Sequence, residues 1–306
     1  MLERGKLTIG LPIYNEEKTI RKVLDSIMEN IDYIDYIIIS DNNSTDATPI
    51  ICKEYCEKSS KIHYSKNDRN IGSWQNMIEL QRRVRTEYYM QLGGHDYLSH
   101  NCIKVLRAEI REDVVCCFAN IKNQHEESPL DDTYIKYKDN LASEVAGERF
   151  VAYLSAGGAN RAYYGIMKTA IIKEAFSLYG EHAIYAVDNA IIAYMSLKGK
   201  LVYVPENEII VKSDGETYYE AIRHYRRSGM NVSYINPGKR FYQYIMQMTC
   251  EEPTLKRDIG CVKKILNEDY NAYQYDALWV LVMCKNAGMN AVKALIYRLM
   301  PGWVKG

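Results

Sequence analysis

The chain has 306 residues, of which 47% are hydrophobic and 25% are charged, a composition that is typical of a globular protein and excludes a disordered or collagen-like chain. Its 39 basic and 39 acidic residues give a formal net charge of +0, which argues against a nucleic-acid partner, because such binding needs a cationic surface. The eight cysteines show no CxxC spacing, the N-terminus is unlike a signal peptide, and no apolar run approaches the roughly 20 residues of a membrane span, so we predict a cytoplasmic protein with reduced thiols.

The first 120 residues alternate short apolar runs with helical patterns, which predicts a mostly parallel sheet covered by helices on both faces. Helices are predicted after Asn15, after Thr48 and over residues 74–84, with Asn15 and Thr48 as capping residues. No GxGxxG follows the first strand, and neither GxxxxGKS nor GxxxxGKT occurs, which argues against a dinucleotide fold and a P-loop. The predicted strands are residues 7–13, 36–40, 61–65, 87–92 and 114–119.

The pattern loosens beyond residue 120, where we predict structure on the substrate side of the domain. We therefore expect one α/β domain over residues 1–215 and a mainly helical C-terminal region over residues 216–306. The predicted features are, in chain order, a polar stretch at 122–148, a glycine-rich turn at 156–159, helices at 169–179 and 188–197, a strand at 201–205, and helical patterns from about 217.

Four polar segments occur at or near predicted strand ends: Pro12-Ile-Tyr-Asn-Glu-Glu17, Ser40-Asp-Asn-Asn-Ser-Thr-Asp46, Asn70-Ile-Gly72 and Leu92-Gly-Gly-His-Asp96. Open α/β sheets bind ligands outside the carboxyl ends of their strands, so these segments predict a polar crevice that suits a nucleotide. In this order and spacing, over residues 6–212, the sequence resembles family 2 glycosyltransferases of the GT-A fold, of the bacterial surface-glycan type. The resemblance implies a GT-A type α/β fold with a nucleotide-sugar half over 1–120 and an acceptor half over 121–215.

The resemblance also implies the residues of the nucleotide site. It places Pro12, Tyr14 and Glu16 around the nucleoside, and it makes Asp41 the acceptor of a hydrogen bond from the base, with a carboxylate that we expect to face the crevice. A glycine before a helix N-terminus suits a diphosphate, although a plain loop is equally compatible with this segment. Turn and cap formation is the alternative role for Asn15, Ser44, Thr45 and Asp46. The candidate nucleotide-binding set is Pro12, Tyr14, Glu16, Asp41, Asn43, Asn70 and Gly72.

Asp96 and His95 are the candidate ligands of a divalent cation, Mn²⁺ or Mg²⁺, that would neutralise a leaving diphosphate. The resemblance leads us to expect further carboxylates at positions 93 to 95, where this chain has Gly93, Gly94 and His95. Imidazole favours Mn²⁺ over Mg²⁺. His95 is therefore either a direct ligand or a hydrogen-bond donor to the diphosphate.

Asp188 matches the position of the general base in the family. Single displacement at an anomeric carbon needs a group that takes the proton of the attacking hydroxyl. The structural alternative for Asp188 is an N-cap of the helix over 189–197. Lys212 and His224 are weaker candidates that either reach the diphosphate or lie on the surface.

The predicted function is an inverting, metal-assisted glycosyltransferase that uses a nucleoside diphosphate sugar, with UDP favoured, and a glycan or lipid-linked acceptor. The alternatives are a related sugar-nucleotide-binding protein without transfer activity and a sugar nucleotidylyltransferase. The latter needs a glycine-rich basic phosphate loop, whereas residues 12–17 carry two glutamates. Peripheral contact with the inner face of a cell membrane is the alternative to a solvated surface for the basic residues Arg223, Arg226, Arg227, Lys256, Arg257, Lys263 and Lys264.

Overall fold

The computed structural model describes residues 2–123, 132–156, 160–179, 186–211, 239–256 and 258–266. These residues contain the strands β1 (Glu3–Ile13), β2 (Tyr36–Asp41), β3 (Ile62–Lys66), β4 (Thr86–Gln91), β5 (Tyr97–Leu98), β6 (Val114–Asn123), β7 (Ile166–Lys168) and β8 (Lys200–Val211). They form one sheet in the order β3-β2-β1-β4-β7-β6-β8-β5. Only β7 and β5 run antiparallel to their neighbours among these strands, so the prediction of a mostly parallel sheet is confirmed.

Helices cover both faces of the sheet, as the alternating pattern predicts. Two separate apolar cores result, one containing residues of α1, α2 and α4 and the other containing residues of α3, α6, α7, α8 and α9. The helices are α1 (Ile20–Glu29), α2 (Thr48–Lys58), α3 (Ser73–Arg83), α4 (Cys102–Ala108), α5 (Asp132–Leu141), α6 (Ala146–Ser155), α7 (Thr169–Tyr179), α8 (Val187–Lys198) and α9 (Lys239–Glu251). Short 3-10 turns lie at Ile31–Tyr33, Asn160–Tyr164 and Pro253–Leu255, and residues 259–266 are helical.

Side-chain alternation along β1 and β2 decides which residues reach the functional edge of the sheet. Ile37 and Ile39 point into the core beneath α1 and α2. The next residue along, Ser40, points to the opposite face, where its hydroxyl donates to Asn76 Oδ1 of α3 at 2.7 Å. Because successive side chains of a strand point to opposite faces, every second residue near the strand ends faces α3.

Several elements differ from the predicted ones. The helix expected after Asn15 begins at Ile20, with Thr19 as its N-cap residue, and Asn15 has a left-handed φ of 55°, so its predicted role as a cap is wrong. The cap of α2 is Ala47 rather than Thr48, which is the first residue of that helix. The polar stretch at 122–148 contains α5 and the start of α6. Composition alone does not predict these helices, because an amphipathic helix has many polar residues beside its apolar face.

The described part of the C-terminal region packs onto the rest of the fold. Ile245 and Met248 of α9 belong to the same core as residues of α6 and α8, and the Gly147 N–H donates to Thr254 Oγ1 at 3.0 Å. The domain boundary at 215 and 216 lies outside the described residues and stays a prediction. In the described ranges, no helix has both the length and the apolar character needed to cross a membrane.

Candidate functional site

A cleft of about 420 Å³ opens at the carboxyl ends of β1 and β2, beside the start of α3. It lies at the edge where open α/β sheets bind ligands. Tyr14 is 44% exposed there, which leaves its ring accessible for stacking on a base. All four polar segments predicted from sequence contribute to the cleft, beside the first turns of α3. The lining residues are Pro12, Ile13, Tyr14, Glu16, Asn42, Asn70, Gly72, Ser73, Asn76, Met77 and His95.

The loops that follow β1 and β2 are joined by hydrogen bonds between backbone and side chain. The Asn15 N–H donates to Ser44 Oγ at 2.9 Å, and the Thr45 N–H donates to Asn15 Oδ1 at 2.8 Å. The Glu17 N–H donates to the carboxylate of Asp46 at 3.1 Å. These side chains therefore shape the loops, which is the role expected of turn residues.

Asp41 is fully buried on the side of the sheet that α2 covers, and it does not line the cleft. Its Oδ1 accepts from the Ser44 N–H at 2.8 Å and its Oδ2 from the Tyr64 hydroxyl at 2.6 Å. Burial, followed by the bond to Asp41, raises the pKa of Tyr64. The prediction that the Asp41 carboxylate faces the crevice is wrong, because Asp41 shares its face of β2 with Ile37 and Ile39.

Asn42, not Asp41, is the residue at the end of β2 that lines the cleft. Its Nδ2 donates to Asn70 Oδ1 at 2.8 Å, and its Oδ1 accepts from the Ile71 N–H at 2.9 Å. Asn42 is not among the residues predicted from sequence, although the alternation of β2 contains the signal: Asn42 follows Ser40 by two residues, and Asp41 follows apolar Ile39 by two.

The side-chain amide of Asn70 holds the segment before α3 in one conformation. Asn70 Oδ1 accepts from the Gly72 N–H at 2.9 Å as well as from Asn42. Gly72 has a φ of 85°, in the region where a residue with a Cβ is strained, and it directly precedes α3. Gly72 and Ser73 both line the cleft, so α3 begins at the cleft wall, and the positive end of its helix dipole favours an anion there.

Other predicted residues lie outside this cleft lining. Asn43 has a φ of 67° in the turn between Asn42 and Ser44. Lys212 and His224 are outside the described residues. Among the predicted membrane-contact residues, Lys256, Lys263 and Lys264 are exposed, whereas Arg223, Arg226, Arg227 and Arg257 lie outside the described residues.

Gly93 and Gly94 make room for two carboxylates. A Cβ on Gly93 would lie 2.5 Å from Asp96 Oδ2, and a Cβ on Gly94 would lie 2.6 Å from Glu16 Cγ. Both distances are shorter than real Cβ contacts, so a side chain at either position would displace one of these acids. The absence of carboxylates at 93 and 94 is therefore coupled to the positions of Glu16 and Asp96.

His95 and Asp96 offer a cation one imidazole nitrogen and one carboxylate oxygen. His95 Nε2 lies 4.0 Å from Asp96 Oδ1, and Asp96 is only 2% exposed. Within the described ranges, no group of three or more His, Cys, Asp or Glu side chains is arranged to hold a metal ion. A cation bound by one or two protein groups, with substrate phosphates and water completing its coordination, fits this donor set.

Asp188 is the second residue of α8, and Ala186 is the N-cap residue of that helix, so the alternative role of Asp188 as an N-cap is wrong. Asp188 Oδ1 accepts from the adjacent Asn189 N–H at 2.9 Å. Asn189 in turn accepts a hydrogen bond from the Tyr153 hydroxyl at 3.0 Å, which fixes the start of α8. The Asp188 carboxylate thus sits in a defined place at the positive end of a helix.

Two tyrosines of the 3-10 turn before β7, Tyr163 and Tyr164, lie within electrostatic range of the candidate acids. Burial, then the charges of Asp96 and Asp188, raise the pKa of Tyr164, which also hydrogen bonds Asp96. Burial, then Asp188, raises the pKa of Tyr163, whose hydroxyl lies 3.4 Å from Gln91 Oε1 at the end of β4. Asp96 and Asp188 therefore both lie close enough to Tyr164 to act on the pKa of its hydroxyl.

Comparison with known proteins agrees with this architecture. The glycosyl transferase family 2 model matches residues 8–158. Glycosyltransferase GlyA of Streptococcus pneumoniae serotype 4 is 39% identical over 113 residues, which are 37% of this chain and 16% of that protein, so the match covers a small part of the relative.

Solved structures share the fold at low sequence identity. S. aureus TarS 1–349 in complex with UDP-GlcNAc has a TM-score of 0.60 at 17% identity, over 86% of this chain and 71% of that chain. The mannosyltransferase PcManGT of Pyrobaculum calidifontis, in complex with GDP-Man and Mn²⁺, has a TM-score of 0.52 at 14% identity, over 96% of this chain and 79% of that chain. Residues 8–158, which contribute to an α/β sheet of the GT-A type, therefore belong to glycosyl transferase family 2.

Proposed function

We propose that this chain is an inverting glycosyltransferase that moves a sugar from a nucleoside diphosphate donor, with UDP favoured, to a hydroxyl of a glycan or lipid-linked acceptor. The observation that carries the proposal is the cleft at the carboxyl ends of β1 and β2, which has His95 in its lining and Asp96 next to it. The donor class is supported by two similar structures, since TarS was solved with UDP-GlcNAc and PcManGT with GDP-Man.

The donor would lie with its nucleoside among Pro12, Tyr14 and Asn42 and its diphosphate toward the start of α3. Tyr14 supplies an aromatic face and Asn42 an amide, which suit stacking on a base and hydrogen bonding to polar edges. Gly72 brings the backbone close to the ligand, and the N–H groups of the first turn of α3 favour the phosphate charge.

His95 and Asp96 would hold the divalent cation, Mn²⁺ or Mg²⁺. When bound, such a cation neutralises charge on the departing diphosphate. Asp96 is buried and hydrogen bonded to Tyr164, so its carboxylate has a fixed direction. The presence of Mn²⁺ in the PcManGT complex supports this part of the proposal.

Asp188 would serve as the general base. The acceptor hydroxyl attacks the anomeric carbon and gives its proton to the Asp188 carboxylate, while the bond from that carbon to the diphosphate oxygen breaks on the opposite face. This single displacement inverts the anomeric configuration. A carboxylate positioned in this way contributes about 10² to 10⁴ in rate.

Loss of transfer activity is the remaining alternative. The absence of carboxylates at positions 93 and 94 favours this alternative. However, Asp96 and Glu16 occupy the space that a side chain at either position would need, so glycine is required at both. The two glycines are therefore compatible with an active site that uses Glu16 and Asp96. An assay of donor hydrolysis and transfer distinguishes the two, because a binding protein without activity would bind the nucleotide sugar and leave it uncleaved.

We also propose that the protein acts in the cytoplasm and meets a lipid-linked acceptor at the inner face of the membrane. Support comes from the exposed Lys256, Lys263 and Lys264 of the C-terminal region, since lysines near a membrane surface are attracted to anionic lipids.

The donor is identified by thermal stabilisation across a panel of nucleotide sugars, with and without Mn²⁺. A ligand that binds only the folded state raises its stability by about 2.7 kcal/mol at 100 times its Kd. The donor that stabilises most is then used for transfer assays. No stabilisation by any nucleoside diphosphate sugar would contradict the proposed function.

The general base is tested by Asp188→Asn, which should lower turnover by about two to four orders of magnitude because the amide cannot accept the proton. Asparagine can still accept from the Asn189 N–H, and the lost charge in the first turn of α8 costs about 0.3–1 kcal/mol. Melting temperature and UDP affinity should therefore change little. Glu57→Gln, on the exposed face of α2, is the matched control. Near-wild-type turnover in folded Asp188→Asn would exclude Asp188 as the base.

A further inference from the structure

The loop after β1 supplies a carboxylate to the segment that ends in Asp96. Glu16 reaches across to Gly94, where its Cγ lies 2.6 Å from the position that a Cβ would take. A second contact to that position comes from Ile13 Cγ2 at 3.0 Å. Glu16 therefore occupies the space that a side chain at 94 would fill, and the two positions cannot both carry side chains in this arrangement.

The Glu16 carboxylate is held at both oxygens. Thr19 Oγ1 lies 2.9 Å from Glu16 Oε2 and 2.9 Å from the Gly94 carbonyl oxygen, and its single proton can be donated to either of these acceptors. Glu16 Oε1 lies 3.0 Å from His95 Nδ1. The Glu16 side chain is 20% exposed and that of His95 is 42% exposed, so the bond lies at the cleft wall with the imidazole toward solvent.

The chemistry of the pair sets the tautomer of the imidazole. An ionised carboxylate can only accept a hydrogen bond, so Nδ1 must be the donor. The neutral ring then carries its lone pair on Nε2, the nitrogen that lies 4.0 Å from Asp96 Oδ1. Carboxylates that bind the distal nitrogen of a metal-binding histidine orient the ring and make it a stronger ligand.

We propose that Glu16 is a positioning residue that holds His95 with its Nε2 directed toward Asp96, so that His95 and Asp96 together bind the divalent cation. The inference rests on the proposed function, and it gives Glu16 a role different from the contact with the nucleoside that we predicted from sequence. The second carboxylate that this segment lacks is thereby replaced by an imidazole whose direction is set from another loop.

The test is the affinity of the protein for Mn²⁺ in the presence of UDP, measured by titration with electron paramagnetic resonance of free Mn²⁺. Glu16→Ala should weaken Mn²⁺ binding by about 10- to 100-fold, the usual loss when the partner of a metal-binding histidine is removed. Glu16→Gln should lose about fivefold or less, because its amide oxygen still accepts from Nδ1–H although more weakly than a carboxylate. UDP affinity without metal should be the same in all three proteins.

Gly94→Ala provides a second route to the same result. The added methyl group displaces Glu16, so Mn²⁺ affinity should fall as in Glu16→Ala. In the Glu16→Ala background the closest contact is gone, and the double variant should bind Mn²⁺ no more weakly than Glu16→Ala alone, a non-additive result. Glu17→Ala is the matched control for loss of a carboxylate from the same loop, and it should leave Mn²⁺ affinity unchanged.

Several results would overturn the inference. Glu16→Ala that binds Mn²⁺ as tightly as wild type would remove the positioning role while leaving the cation site in place. Equal losses in Glu16→Gln and Glu16→Ala would show that the charge of Glu16 acts directly on the cation. Loss of UDP binding without metal in Glu16→Ala would return Glu16 to the nucleoside pocket. Wild-type protein that binds UDP but no Mn²⁺ would contradict both this inference and the proposed cation. Melting curves confirm that each variant is folded.

Discussion

Replacing Asp41 with alanine is expected to destabilise the fold before it affects the nucleotide. The side chain is fully buried, and its two oxygens accept hydrogen bonds from the Ser44 N–H and the Tyr64 hydroxyl. A buried donor that loses its acceptor costs about 1–3 kcal/mol. The Ser44 N–H is buried, whereas Tyr64 is partly exposed and can turn toward water, so the two losses together amount to about 2–5 kcal/mol.

That loss is measurable against the usual stability of about 5–15 kcal/mol. Urea denaturation followed by circular dichroism gives the free energy of unfolding, and calorimetric titration of UDP on the same samples gives the affinity. Asp41→Asn is the conservative control, because its Oδ1 still accepts from the Ser44 N–H and its amide can donate to the Tyr64 oxygen. Asn42→Ala should differ from Asp41→Ala by weakening UDP binding, since Asn42 lines the cleft, and it should also lower stability because the Ile71 N–H loses its acceptor.

Unchanged stability of Asp41→Ala together with lost UDP binding would refute this reasoning. It would mean that the carboxylate faces the ligand, as the sequence had suggested. Unchanged UDP affinity in folded Asn42→Ala would likewise contradict the different roles of the two neighbouring residues.

Two further predictions concern the scaffold. Arg149→Met should destabilise the protein by about 2–4 kcal/mol in urea denaturation. The buried guanidinium donates to four backbone carbonyls, two of them at the carboxyl end of α8. An unchanged free energy of unfolding would mean that water satisfies these carbonyls in the variant. Iodoacetamide at pH 8 should label the exposed Cys250 and Cys261 first, as read by mass spectrometry. Burial raises the pKa of Cys52 and Cys102 to about 12, so only about one such thiol in ten thousand is ionised at that pH, and rapid labelling of either would contradict their burial.

The local regularities of the chain were sufficient to predict the α/β fold and the position of the cleft. Apolar alternation in β1 and β2 and the helical spacing of α1 and α7 depend only on residues close in sequence. The polar segments after β1 and β2 predicted a site at the carboxyl edge, because parallel strands end on the same side of a sheet. The alternation of β2 also predicts that Asn42, and not Asp41, lies at the cleft, because Asp41 shares its face of the strand with buried Ile39.

Contacts between residues remote in sequence were decided only by the tertiary structure. The short strand β7 lies between β4 and β6 and pairs antiparallel with both, and its three residues carry too little periodicity to be predicted. Asp96 and Asp188 both raise the pKa of Tyr164, although they are far apart in the chain. Glu16 meets His95 across 79 residues because Gly94 has no side chain, and this fit depends on distances in space that no local pattern encodes.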